Sequence, residues 1–169
     1  VKLLDRTGWK SDAFSRAESA GDASAVIVPL ATLDVALAER RAGQPIGVEL
    51  PNDSDPADLR TRQAKVDLIA IAFPKYGDGR GFSIAKALRD QGFSGILRAS
   101  GSIIPDQFAF ALQCGFDEVE IEDAQAERQP IGQWLHALTL IHGTYQDGPD
   151  GSVSVFRRRH QEAEATKAA

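Results

Sequence analysis

The sequence predicts an α/β fold: an open, mainly parallel five-stranded sheet with helices on both faces, or a partial βα barrel as the alternative. Three observations lead there. Runs rich in Val and Ile alternate with segments of helical periodicity. One run, "VDLIAIAF", is apolar almost throughout, as in a parallel strand covered on both sides. A helix end, Gly-Phe, two residues and a strand recur in "LRDQGFSGILR" and "ALQCGFDEVEI".

Taken in order, "SAVIVPL" reads as a strand ending near Leu30, and "LDVALAERRAG" as a helix closing at Gly43. "PIGVEL" is a short strand. "DPADLRTRQAK" is a short helix with Asp55 as N-cap and Pro56 at its first position, where the missing N–H costs nothing. After the "VDLIAIAF" strand, "FSIAKALRDQG" is a helix with Ile84, Ala85 and Leu88 on one side. "SGILRAS" is a strand, and "IPDQFAFALQCG" a helix with Phe108 and Leu112 one turn apart. "FDEVEIED" contains a strand. "QPIGQWLHALTLIHG" is a last helix with Trp134, Leu135, Leu138 and Ile141 inward. Gly92 and Gly115 suit the left-handed position that ends a helix, and Phe93 and Phe116 the closing apolar contact. "ERRAGQPIGVEL" is a looser third copy around Gly43. Such βα units give right-handed crossovers. Five are too few for a closed eight-fold barrel, which favours a flavodoxin-like or Rossmann-like sheet. The ends, "VKLLDRTGWK" and "GSVSVFRRR", are each placed to add a strand or an arm. Residues 1–156 are read as one α/β domain and 157–169 as a charged, disordered tail.

Bulk properties remove several function classes. The chain has 169 residues, 43% of them hydrophobic and 25% charged, with a net charge of -5. That balance carries no nucleic-acid footprint. Arg157, Arg158 and Arg159 are followed at once by acidic residues, the pattern of a solvated tail. Cys114 is the one cysteine, so no internal disulfide forms, which fits a reducing, cytoplasmic setting. No apolar run approaches the ~20 residues of a membrane helix, and no signal peptide opens the chain. Met is absent, so the natural N-terminus is expected upstream.

The stretch "FPKYGDGRGFS" carries the chemistry. It leaves a strand and enters a helix, where backbone N–H groups and the helix dipole favour an anion. It is no nucleotide fingerprint: GxxxxGK[ST] is absent, and the third glycine of GxGxxG would fall on Phe82. The expected ligand residues are Lys75 and Arg80 for charge, Gly77, Gly79 and Gly81 for backbone access, Asp78, and Arg98 as a fork from the neighbouring strand. Asp106 and Gln107, at the next strand-to-helix junction, complete the set. The competing reading is equally physical: Asp78 caps the helix and the glycines permit a tight turn. Metal binding is not expected, because His136 and His142 are six apart and face different sides, with only His160 and Cys114 besides. Cys114, at a helix end, reads as a buried inert thiol. No GxSxG elbow exists, and Ser83 lacks that setting. Three readings stay open: a binding protein for a small oxyanion or partner, an enzyme on a small anionic metabolite with Asp78 or Asp106 as acid or base, and a ligand-free interaction module that self-associates.

Two resemblances bear on these. The stretch from "VDLIAIAF" to "ALQCGFDEVEIED" resembles the middle of a response-regulator receiver, but Ala72 stands at the phosphoacceptor position and "AVIVPLATL" lacks the paired acidic residues. This implies a flavodoxin-like fold without phosphotransfer. "FPKYGDGRGFSIAKALRDQGFSGILRASG" and "DQFAFALQCGFDEVEI" more specifically resemble a bacterial family, domain of unknown function 934, over about Val66 to Ile121. That family has an aromatic and a threonine where Tyr76 and Gly77 stand here, and an aspartate where Ser102 stands. Its genes commonly neighbour those of sulfite or nitrite reductase, and some members are labelled probable oxidoreductases of sulfite reduction. The resemblance implies an accessory protein of assimilatory sulfite or sulfate reduction, with a sulfite or nitrite reductase as partner; the small oxyanion is expected from the residue types of the glycine stretch alone. No redox cofactor motif is present, so the cofactor is left unassigned.

Overall fold

The computed structural model describes residues 1–140. The "GSVSVFRRR" arm, the charged tail, Ile141, His142, His160 and the 156/157 boundary lie outside the described residues. The chain forms β1 (Lys2–Asp5), β2 (Gly8–Lys10), β3 (Ser15–Arg16), β4 (Val26–Pro29), α1 (Leu33–Glu39), β5 (Ile46–Leu50), β6 (Leu68–Phe73), α2 (Arg80–Asp90), β7 (Ile96–Gly101), α3 (Pro105–Gln113), β8 (Glu118–Ile121), α4 (Asp123–Arg128) and α5 (Ile131–Leu140). β4 to β8 are the five strands expected. The N-terminal stretch adds three more, so the sheet has eight strands among the described residues. The helix expected over "DPADLRTRQAK" is two 3₁₀ turns, Pro56–Leu59 and Gln63–Lys65, and Asp55 does cap the first by accepting from Ala57 N–H. Gly92 and Gly115 are left-handed. Phe93 N–H returns to Leu88 O and Phe116 N–H to Ala111 O, closing both helices in the same six-residue loop.

The strand order is β2-β1-β8-β7-β6-β5-β4-β3, with β3 to β8 parallel and β1 and β2 antiparallel additions beyond β8. From β4 to β8 the order never reverses. Right-handed crossovers then place every connecting helix on the same side. The two apolar clusters agree. Ile69, Ile71 and Phe73 of β6 share one core with residues of α1, α2, α3, α4 and α5. The alternate residues Leu68 and Ala70 join Ile27, Phe14 and Ile96, with no helix among them. Helices on both faces and a flavodoxin-like order are therefore corrected: the sheet is wound in one direction, closer to the partial-barrel alternative.

The sheet is also curled rather than open. Laid flat, eight strands about 4.8 Å apart would hold its edges about 34 Å apart. Residues 11–14 alone join edge strand β2 to edge strand β3, and that link reaches at most about 18 Å. Arg16 on β3 likewise hydrogen-bonds Glu120 on β8, at 2.8 and 2.9 Å. These strands would be about 24 Å apart if flat. Curling explains why β6 is apolar on both faces: its second face is buried by the sheet itself. Gly47 marks how tight that concave side is, since a Cβ there would lie 3.0 Å from Ile27 and 3.2 Å from Leu68.

Candidate functional site

The glycine stretch lies past the C-terminal end of β6, on the rim where ligands of parallel sheets bind. Its loop is held from both sides. Gln107, on the first turn of α3, donates Nε2 to Tyr76 O at 2.6 Å and accepts at Oε1 from Ile104 N–H. Buried Asn52, just past β5, donates Nδ2 to Asp78 at 2.7 Å. Arg80 Nη2 and Nε meet the same carboxylate at 2.7 and 2.9 Å, and Arg80 N–H points to Oδ1. The hydrogen bonds from the Arg80 side chain, with help from its N–H and from Asn52, hold the Asp78 carboxyl well below the usual carboxylate range. A carboxylate of the chain itself thus sits at the start of α2, where an external anion was expected.

The three glycines differ. A Cβ on Gly81 would lie 2.5 Å from the Phe73 ring, so Gly81 lets α2 press onto β6. Gly77 has open space around it, and neither it nor Gly79 has a positive φ. Gly81 is a packing residue, and backbone access is left to the other two. Lys75 and Tyr76 are exposed, Tyr76 by 65%.

Arg98 is elsewhere. It lies in the middle of β7, paired in register with Ala70 and Glu118, on the concave face, and is 1% exposed. Its fork takes both oxygens of Asp12, at 2.6 and 2.8 Å, while Nε donates to Glu118 at 2.8 Å. Glu118 also receives Lys10 at 2.7 Å, and Glu120 receives Arg16. Burial alone would raise the Asp12 pKa; the Arg98 hydrogen bonds and Phe14 N–H outweigh it and leave it lowered. Arg98 and Arg80 are therefore not convergent. The strand runs three residues past Arg98, so that side chain never reaches the rim.

Over residues 47–156 the chain matches the model of a family described as Bacterial protein of unknown function (DUF934). The chain belongs to that family. No curated protein matches it. The DUF934 match holds the whole rim loop together with Glu49, Arg98, Glu118 and Glu120, whereas Lys10, Asp12 and Arg16 precede it. The concave cluster thus joins the matched region to the N-terminal strands.

Asp106 does not meet the arginines. It lines a cavity of about 290 Å³ with Gln133 and His136, between the start of α3 and α5. Cys114 is half-buried, and burial, opposed by nearby Lys86, pushes its thiol up to about 11. Among the described residues no group of three His, Cys, Asp or Glu side chains is placed to hold a metal, and no helix is long and apolar enough to cross a membrane. The concave cluster was missed in sequence, although it left a signal. "ILRAS" and "EVEI" alternate polar and apolar residues at period two, so Arg98, Ser100, Glu118 and Glu120 share one face.

Proposed function

We propose that this DUF934 chain is a cytoplasmic accessory protein of assimilatory sulfite reduction that docks a sulfite or nitrite reductase through the rim loop. The supporting observation is the loop itself: its backbone is clamped by Gln107, and Asp78 within it by Asn52, while Lys75 and Tyr76 project into solvent. A preordered loop loses little freedom on binding, and Tyr is among the residues that anchor interfaces. Phe110, one turn beyond Gln107 on α3 and 48% exposed, extends the aromatic surface beside it. The pathway rests on the family resemblance alone.

The small-oxyanion reading has less support, because Asp78 already neutralises Arg80 and fills the helix start. An enzyme reading retains one favourable observation, the shared cavity of Asp106 and His136. Binding of purified assimilatory sulfite and nitrite reductases, measured by calorimetry, separates these. A complex that weakens about tenfold or more in Lys75→Glu/Tyr76→Ala supports docking. No complex with either reductase, or equal binding by the variant, overturns it. Heat on titrating sulfite or sulfate that disappears in Arg80→Ala would favour the oxyanion instead.

A further inference from the structure

Residues 11–14 cross the concave face as a strap between β2 and β3, and little holds them there. Ser11, Asp12 and Ala13 are exposed and Phe14 is half-buried. The strap makes no backbone–backbone hydrogen bond among the described residues, and Phe14 N–H bonds only the Asp12 carboxylate of the same link. Two side chains anchor it. Phe14 packs against Ile27, Leu68 and Ala70. Asp12 places both oxygens in the fork of Arg98, at 2.6 and 2.8 Å.

Beneath the strap the arrangement is that of a receptor with its ligand in place. Two N–H donors of one guanidinium take the two oxygens of one carboxylate, the geometry by which Arg recognises a free carboxylate. The guanidinium does not need Asp12 to point this way. Its Nε is held by Glu118 at 2.8 Å, and Glu118 is itself fixed by Lys10 at 2.7 Å. With Asp12 lifted away, Arg98, Arg16 and Lys10 face Glu49, Glu118 and Glu120. Charge is then balanced, and a monoanion replaces Asp12 charge for charge.

We propose that Arg98 is the receptor of a site for a small carboxylate, closed by the 11–14 strap with Asp12 as its internal occupant. Strap and ligand use the same two donors, so each excludes the other. Ligand binding holds the strap open and frees the link between the edge strands. The strap has few buried contacts, so it lifts without unfolding the sheet. The site lies on the concave face, away from the rim loop, and stands or falls independently of reductase docking.

Formate, the smallest carboxylate, is the probe, with chloride at equal ionic strength as the control. In Asp12→Ala, formate should raise the urea midpoint above that in chloride, and the gain should vanish in Asp12→Ala/Arg98→Ala. In the unaltered full chain, limited trypsin digestion read by mass spectrometry reports on the strap. Lys10 and Arg16 flank it, and their side chains are pinned on Glu118 and Glu120 while it is closed. Arg98, buried in β7, is cut only on global unfolding and serves as the internal reference. Cuts after Lys10 and Arg16 should precede the cut after Arg98. Formate should speed them at least about threefold relative to it, as binding at twice the dissociation constant does. Should either variant fail to fold, the digestion decides. A midpoint no higher in formate than in chloride, or a gain that persists without Arg98, would overturn the site. So would flanking cuts that only keep pace with Arg98 or are indifferent to formate.

Discussion

Arg80 and Arg98 each pair with a carboxylate of their own chain, yet they sit in opposite kinds of place. Arg80 is 60% exposed on the rim, bonded to Asp78 two residues away. Arg98 is 1% exposed on the concave face, bonded to Asp12 from the N-terminal link and to Glu118 and Glu120 from β8. The same ion pair therefore does different work. On the rim it shapes a loop locally, in water. On the concave face it ties the N-terminal link to β7 and β8, largely out of water. Local sequence suffices for the first; the second exists only because the sheet curls.

The comparison breaks first at Arg98. Arg98→Ala leaves Asp12 and Glu118 without their shared partner and should cost about 3–5 kcal/mol of unfolding free energy, as removal of one member of a buried ionic group does. Urea unfolding measures it, and a loss within error would mean that the cluster is solvated. Gly81→Ala comes next. Its Cβ meets the Phe73 ring, already packed at 4.9 Å from Phe82 and 5.8 Å from Phe116, so overpacking of about 1–3 kcal/mol is expected. A neutral Gly81→Ala would return that glycine to a ligand-contact role.

Asp12 sharpens the contrast through pH. Its folded pKa is lowered, so its ionised form stabilises the fold above the ordinary carboxylate pKa of about 3.9. That contribution is lost as pH falls from there through the lower folded value. Asp12→Asn should flatten the acid limb of a stability–pH curve below about pH 4; an unchanged limb would place Asp12 away from Arg98. The smallest effect belongs to Cys114. With its thiol pushed up to about 11, it should react with a disulfide reagent at neutral pH far more slowly than a free thiol, until urea exposes it.

The parallel core was legible because its cause is local: apolar runs, Gly92 and Gly115 at helix ends, Asp55 before Pro56. The rim loop was legible for the same reason, although Gly79 rather than Asp78 stands at the N-cap of α2, with no side-chain capping hydrogen bond. Curling was not, since it depends on residues 11–14 linking the two sheet edges, and no periodicity encodes that link. Arg98 was misplaced at the rim because it stands near the end of "SGILRAS"; the strand holds it two residues or more inside and turns its side chain onto the concave face. Its alternation with Leu97 and Ala99, matched by Glu118 and Glu120 around Val119, pointed to a charged inner face. A parallel strand apolar on both sides suggested helices on both sides, and "VDLIAIAF" satisfies that pattern equally well inside a curled sheet.

The separation of the two arginines is tested most directly by a double-mutant cycle on Arg80→Ala and Arg98→Ala in urea. Independent regions predict a large midpoint shift for Arg98→Ala, none for Arg80→Ala, and a double variant equal to their sum within error. A double variant that departs clearly from additivity, or matching single shifts, would place both side chains in one site and contradict the division drawn here.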